Sequence, residues 1–459
     1  MNEAQRLLDS LPAVLGPVLG AGVTVGNLRA LTGGASRSTW AFDAITSDGR
    51  RSLILRIGPP DDVHAGMELE ARVQAAAAAA GTPVPPVLVA DDSPAALGNP
   101  FLVCEEVKGE TIVRRIQRGL DEAGRGRLLR QCAQALATIH RADSGDPGLA
   151  REDPLVQWRT RLDAMGDTTA TFEWAFRWLA AQRPSPTPEV LVHGDYRMGN
   201  LIVDGSDLAA VLDWELVHIG AAFEDLAWFC VRAWRFGAPA SHGAGGLGSI
   251  ENFLQAYREA SGRTVDRAVF RWWLLLATLR WGVICRYQAQ RHLSGQVRSV
   301  ELATIGRRVC ENEWDLLTLL AGAPPAGDDG GAAPARAAAG QSDPTGAHGR
   351  PTAAELVAAV AEFLESDVRE ATSGQANVRV NFAARVAANA LRIVERELLG
   401  PGDADVRAAL ANLGFVDEAA LAAAIRAGEC DGRAAEVIAC LRTLVRHRLT
   451  VAHPGYEGE

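Results

Sequence analysis

Residues 190–215 constrain this chain more than any other stretch, because they place three polar side chains around a single tight reversal. The apolar run Val190-Leu191-Val192 delivers His193-Gly194-Asp195 into a loop, and Asn200 then begins a short strand at Leu201 to Val203. Asp204-Gly205-Ser206-Asp207 is turn chemistry, and Leu208 to Leu212 returns antiparallel. In a hairpin centred near Gly205 and Ser206, Asn200 lies opposite residues 211–213. The Asn200 amide oxygen therefore comes near the Asp213 carboxylate, with Asp195 on the loop just before them. Two hard oxygen ligands that cannot complete a cage suit Mg²⁺, which keeps waters and takes its remaining ligands from a substrate phosphate. A second carboxylate beside such a site can accept a proton from an attacking hydroxyl. Phosphoryl transfer from Mg-ATP requires this set: one group to orient the nucleophile, and metal to neutralise the transferred phosphate.

The rest of the chain supplies the context for that segment. Ser38 to Asp43 and Leu53 to Ile57 are β-type runs on either side of Ser47-Asp48-Gly49, which predicts a hairpin. Residues 66–80 predict one long helix ended by Gly81, and Phe101 to Val107 a further strand. From about 120 to 320 the pattern is mainly helical, apart from the β segment. Residues 321–350 are rich in Ala, Gly and Pro with no apolar period, and predict a linker. After it, helical periodicity returns around 352–364, 382–399 and 434–449, which predicts a small all-helical unit.

With 459 residues the chain has room for two to four domains. Its 46 basic and 56 acidic residues give a net charge of −10, which argues against a general nucleic-acid binder or a basic membrane-surface protein. The seven cysteines are scattered and form no CxxC, so they read as buried thiols of a reducing compartment, and the expected location is cytoplasmic. Lys108 is the only lysine; every other basic residue except histidine is arginine. Chemistry that needs a lysine must use Lys108 or do without.

His193-Gly194-Asp195-Tyr196-Arg197-Met198-Gly199-Asn200, then Val211-Leu212-Asp213-Trp214-Glu215, then Glu224-Asp225-Leu226-Ala227 resemble, in order and spacing, the aminoglycoside phosphotransferase and choline kinase-like family of the protein-kinase-like fold. The resemblance covers about residues 20–320. It implies an α+β, two-lobed fold: a small β-rich N-terminal nucleotide-binding lobe (1–108) and a mainly helical catalytic and acceptor lobe (109–320). The linker (321–350) and a separate all-α domain (351–459) would follow. By the same resemblance Asp195 is the catalytic aspartate, Asn200 and Asp213 are the Mg²⁺ ligands, and Asp225 holds the catalytic loop through backbone N–H groups. His193 braces that loop, since kinase-type transfer needs no histidine base.

On the nucleotide side, Thr32-Gly33-Gly34-Ala35-Ser36 falls where the family places a loop over the ATP phosphates, so Gly33, Gly34 and Ser36 are candidate contacts. Arg56 occupies the place of the family's lysine, with Glu70 in the following helix as its partner. An arginine keeps the charge and grips phosphate in a fork, yet it is longer and planar. Cys104-Glu105-Glu106-Val107 resembles the hinge, where the backbone of Glu105 and Val107 meets adenine.

The region after Asp213 is rich in tryptophan and arginine, and the candidate acceptor pocket is Trp214, Glu215, Trp228, Arg232 and Arg235. A polycationic aminoglycoside calls for a pocket lined by carboxylates, which this neighbourhood is not. An anionic or partly apolar acceptor, such as a hydroxy acid or a hydroxyacyl thioester of coenzyme A, fits better. Residues 214–228 also resemble the family branch associated with acyl-CoA dehydrogenases. The expected activity is phosphorylation of a hydroxyl on a small metabolite with ATP and Mg²⁺, with no nucleic-acid or membrane partner and a possible association through the C-terminal helices. The alternatives are a nucleotide-binding interaction module with an idle kinase site, and an antibiotic kinase.

Overall fold

Leu7, Leu11 and Leu15 recur every fourth residue and are buried on one stripe of a helix, Glu3–Leu19. They pack on Phe42, Leu53, Leu55, Phe101 and Val103, which project from a five-stranded antiparallel sheet. In this computed structural model residues 3–31, 37–59, 65–143, 145–146, 148–321, 353–372, 378–400 and 402–458 are described. The chain forms two compact units, residues 1–153 with 184–277, and residues 154–183 with 278–459.

In the first unit the sheet has the order β1 (Thr24–Leu31), β2 (Ser38–Thr46), β3 (Gly49–Ile57), β5 (Phe101–Glu105), β4 (Val87–Asp91). The β2–β3 hairpin turns over Ser47 and Asp48, with Thr46 paired to Gly49, so both strands run longer than their apolar cores suggest. Helix Met67–Ala79 lays Met67, Glu70, Val73 and Ala77 inward, the spacing of one helical face. The same unit holds two smaller sheets. β6 (Glu189–Val192) pairs antiparallel with β9 (His218–Ala221), and β7 (Leu201–Asp204) forms a hairpin with β8 (Asp207–Val211). The segment after β5 joins this hairpin through reciprocal backbone bonds between Glu110 and Val203. Helix Glu3–Leu19 was not expected from the sequence, where the first hundred residues read as strands with one helix. Pro12 and Pro17 lie inside it and mask its leucine stripe.

The described residues of the second unit are helical. Leu421, Ile425, Val437, Leu441, Leu444 and Val445 form a core that also takes in Ala170, Cys310 and Leu317. Arg448 donates to the buried Glu313 at 3.0 and 3.1 Å and also to Glu418, so helices Val309–Ala321, Glu418–Ala427 and Ala434–Ala452 share one cation. The expected division at residue 320 is therefore not where the compact units part: helices Ala170–Ala181 and Val309–Ala321 share a core with the tail. The expected linker lies, except for Ala321, outside the described residues. All seven cysteines are buried and unpaired.

Candidate functional site

The loop after β6 is held from beneath by one carboxylate. Asp225, fully buried in helix Phe223–Phe229, accepts the N–H of His193 at 2.8 Å and of Gly194 at 2.9 Å, and faces His140 Nε2 at 3.2 Å. Burial opposes its ionisation, but the His140 hydrogen bond and the imidazole and backbone donors outweigh that and hold its carboxyl below the usual value. Gly194 has φ +85°, and a Cβ there would run into the Leu216 carbonyl, so only glycine lets the chain turn here. Asp195 N–H donates to His193 Nδ1 at 3.2 Å, which leaves Nε2 to carry the proton it donates to the Leu212 carbonyl at 3.0 Å. His193 is thus a brace between the loop and the strand that leads to Asp213.

Asp195 is positioned by three side-chain donors. Asn200 Nδ2 reaches Oδ2 at 2.7 Å, Trp228 Nε1 reaches Oδ1 at 2.7 Å, and Arg197 Nε lies 3.0 and 3.1 Å from the two oxygens. Its side chain is 16% exposed, so one face of a fixed anion remains toward solvent. Such a carboxylate can align a hydroxyl and take its proton. Arg197 also lies over the Trp234 ring, 4.9 Å from its centroid.

The hairpin brings the other two polar groups together as its turn chemistry requires. Leu212 N–H donates to the Asn200 carbonyl at 2.8 Å, and Asp213 follows in a left-handed conformation, φ +67°. A non-glycine residue held there costs energy on the order of 1–3 kcal/mol, and turns the carboxylate out of the strand. Because Asn200 Nδ2 is committed to Asp195, its Oδ1 is the atom left to act as a ligand. Asp213, one-third exposed, supplies the second hard oxygen. Two oxygens suit a cation that draws its remaining ligands from phosphate and water. Among the described residues no cluster of three or more His, Cys, Asp or Glu could hold a metal alone.

Arg56, on β3, donates Nη1 to Glu70 at 2.7 Å and Nη2 to Asp213 at 2.9 Å and Glu215 at 3.4 Å. Burial disfavours its charge, but the three carboxylates outweigh this and push its pKa up. Glu70 is completely buried and has a second cation: Arg37 donates Nη1 to Glu70 Oε1 and Nη2 to the Ala65 carbonyl at 2.6 Å.

Of the remaining candidate residues, Gly33, Gly34 and Ser36 lie outside the described residues. Glu105 ends β5, its N–H bonded to Pro86 O at 3.0 Å and its carboxylate to Arg51, and Val107 is half-buried just beyond. The acceptor set needs correction. Trp214 is fully buried with its ring 4.8 Å from that of His193 and its N–H on Val211 O, so it lines no pocket. Glu215 faces Arg56, and Trp228 is a donor to Asp195. Arg232 and Arg235 are half-buried in the short turn Arg232–Arg235. Sequence reasoning missed Arg37 and Arg197 altogether. A signal for Arg37 existed in Glu70 on a buried helical face, which demands more than one hydrogen-bond partner.

The family model described as "Phosphotransferase enzyme family" matches residues 27–273, more than half of the chain. The chain belongs to the phosphotransferase enzyme family. Residues 374–456 match a second model, a domain of unknown function numbered 6285. Among curated proteins, mouse acyl-CoA dehydrogenase family member 10 is 28% identical over 58% of this chain and 27% of its own length. Chicken acyl-CoA dehydrogenase family member 11 is 33% identical over 41% of this chain and 25% of its own. The chain thus spans about a quarter of the length of these relatives. A Ralstonia eutropha protein crystallised as a candidate aminoglycoside phosphotransferase has the same fold, with TM-score 0.56 and 21% identity over 67% of this chain and 97% of that one. The family and its acyl-CoA dehydrogenase-associated branch are those the motifs indicated, and the kinase-like α+β fold with an added helical region is the one expected.

Proposed function

We propose that this phosphotransferase moves the γ-phosphate of ATP to a hydroxyl of a small metabolite, a hydroxy acid or a hydroxyacyl thioester of coenzyme A. The observation that carries the reading is Asp195: an anion fixed by three donors beside the two oxygens of Asn200 and Asp213. Asp195 receives the acceptor hydroxyl, orients its oxygen toward the phosphorus and takes its proton as the new O–P bond forms and ADP departs. Asn200 Oδ1 and Asp213 would hold Mg²⁺, which when bound offsets charge on the phosphates. Arg56, held by Glu70, places its positive charge beside Asp213 and the same phosphates. The acceptor class is supported by the names of the curated relatives, which carry this region within acyl-CoA dehydrogenase family members. The buried free thiols support a reducing, cytoplasmic setting.

The test is transfer from labelled ATP to a panel of hydroxy acids and hydroxyacyl thioesters. Asp195→Ala is expected to lower kcat by roughly 10²- to 10⁴-fold while ADP still binds. Undiminished turnover by that variant would remove Asp195 from the mechanism.

A further inference from the structure

A concavity of about 530 Å³ lies in the same unit as Asp195, between helix Val113–Gly119 and the segment 236–246. Its walls carry Arg114, Arg118, Arg125 and His242 beside Gln117 and Phe236, and none of the described lining residues is acidic. Arg114 and Arg118 are exposed and stand one turn apart, an arrangement of like charges that destabilises a helix unless an anion sits between them. Arg118 is aimed by its Nε bond to the Arg114 carbonyl, 3.0 Å. Arg125 braces the end of the helix through Nη1 bonds to Gln117 O at 3.2 Å and Leu120 O at 2.8 Å.

Both walls of the cavity are tied to helix Phe223–Phe229 and the turn that follows it. Gln117 Nε2 donates to Arg235 O at 3.0 Å, and Gly245 N–H donates to Phe229 O at 3.1 Å, on the helix that carries Asp225 and Trp228. A chain of ring contacts, buried at Trp228 and Trp234, links the cavity to Asp195. Trp228 touches Asp195, Trp234 follows at 5.2 Å between ring centroids, and Phe236 lies 6.4 Å further on at the cavity wall.

We propose that this cavity binds the phosphate-bearing end of the acceptor, with an uncharged stem leaving past Phe236 and the hydroxyl reaching Asp195. The inference rests on the kinase reading of Asp195 and specifies its substrate. A single carboxylate would balance one of three guanidinium groups and fill a small part of the space. A head carrying several phosphate charges matches both, and guanidinium forks suit phosphate oxygens. An anionic head, a linear spacer and a hydroxylated tail are the layout of a hydroxyacyl thioester of coenzyme A, and not of a free hydroxy acid.

The experiment is calorimetric titration of the full chain with coenzyme A at fixed ionic strength, with ADP and Mg²⁺ saturating so that the nucleotide site is closed to it. Coenzyme A is expected to bind, and the double variant Arg114→Ala/Arg118→Ala to weaken it roughly tenfold or more, with ADP affinity unchanged. Arg115→Ala is the control, since Arg115 pairs with Glu110 and does not line the cavity. Failure of the wild type to bind coenzyme A, equal binding by the double variant, or equal weakening by Arg115→Ala each overturns the site. The two readings fail separately. Coenzyme A held through Arg114 and Arg118 without transfer to any hydroxyacyl thioester overturns the kinase reading alone. Transfer to a phosphate-free acceptor that the double variant performs as well as the wild type, with coenzyme A no competitor, overturns the anion site alone.

Discussion

Glu70 gives the site its sharpest energetic test, because it is completely buried and shared by two cations. Removing one partner of a buried ion pair costs about 3–5 kcal/mol when the remaining charge is stranded. In Arg56→Met the charge is not stranded, since Arg37 still holds Oε1 and the one-third-exposed Asp213 can return to water. The expected loss is therefore smaller, about 2 kcal/mol, and Arg37→Met should cost a similar amount. The double variant strands the carboxylate and should cost more than the sum, with a coupling of about 1 kcal/mol or above. The readout is hydrogen exchange of amides in helix Met67–Ala79, which reports local opening and is not confused by a chain of two compact units. Arg56→Lys should fall between wild type and Arg56→Met, because one ammonium cannot span Glu70, Asp213 and Glu215. Additivity of the two methionine variants within about 0.5 kcal/mol would refute the shared-carboxylate argument.

Asp225→Asn exchanges a charged acceptor of two backbone N–H groups for an amide that can satisfy only one of them as well. It should destabilise the first unit by about 2–4 kcal/mol in chemical denaturation and lower kcat through a displaced Asp195. Because the folded pKa of Asp225 lies below its ordinary 3.8, its contribution is complete above that value and is lost as pH falls through the lower folded one; the variant should show a flatter acid limb, and an unchanged limb would count against the assignment. In the second unit, Leu441→Arg puts a charge into the core that joins Leu317 to Val437 and Leu444. The full chain should then lose solubility and cooperative unfolding, whereas an independent tail would leave the melting of the rest untouched.

What could be read from the sequence was local. The hairpin at 201–211 followed from Gly205 and its flanking aspartates, and it placed Asn200 opposite residues 211–213 without any knowledge of the rest. Trp214 was misplaced for an equally local reason. It adjoins Asp213, and the left-handed backbone there turns the carboxylate out while Trp214 enters the core, a reversal that the residue types alone do not announce. The apolar faces of the tail helices showed that they bury something, but not that Ala170 and Leu317 are part of it, since amphipathicity carries no address.

The absence of a lysine at position 56 has a structural counterpart that only the fold reveals. A lysine would offer Glu70 one ammonium and have no second arm for Asp213 and Glu215. Here Arg56 takes Oε2 and Arg37 takes Oε1, so both oxygens are satisfied without solvent. Arg56 then has Nη2 to spare for Asp213, and links the helix that holds Glu70 to the carboxylate of the proposed metal site. The substitution at one position is thus half of a pair. Arg37 lies just after the glycine-rich segment in sequence and completes the charge balance of Glu70. It follows that Arg37→Met should weaken ADP binding, measured by calorimetry with Mg²⁺ present, even though Arg56 is intact. Unchanged ADP affinity in that variant would confine Arg37 to stability and separate it from the nucleotide site.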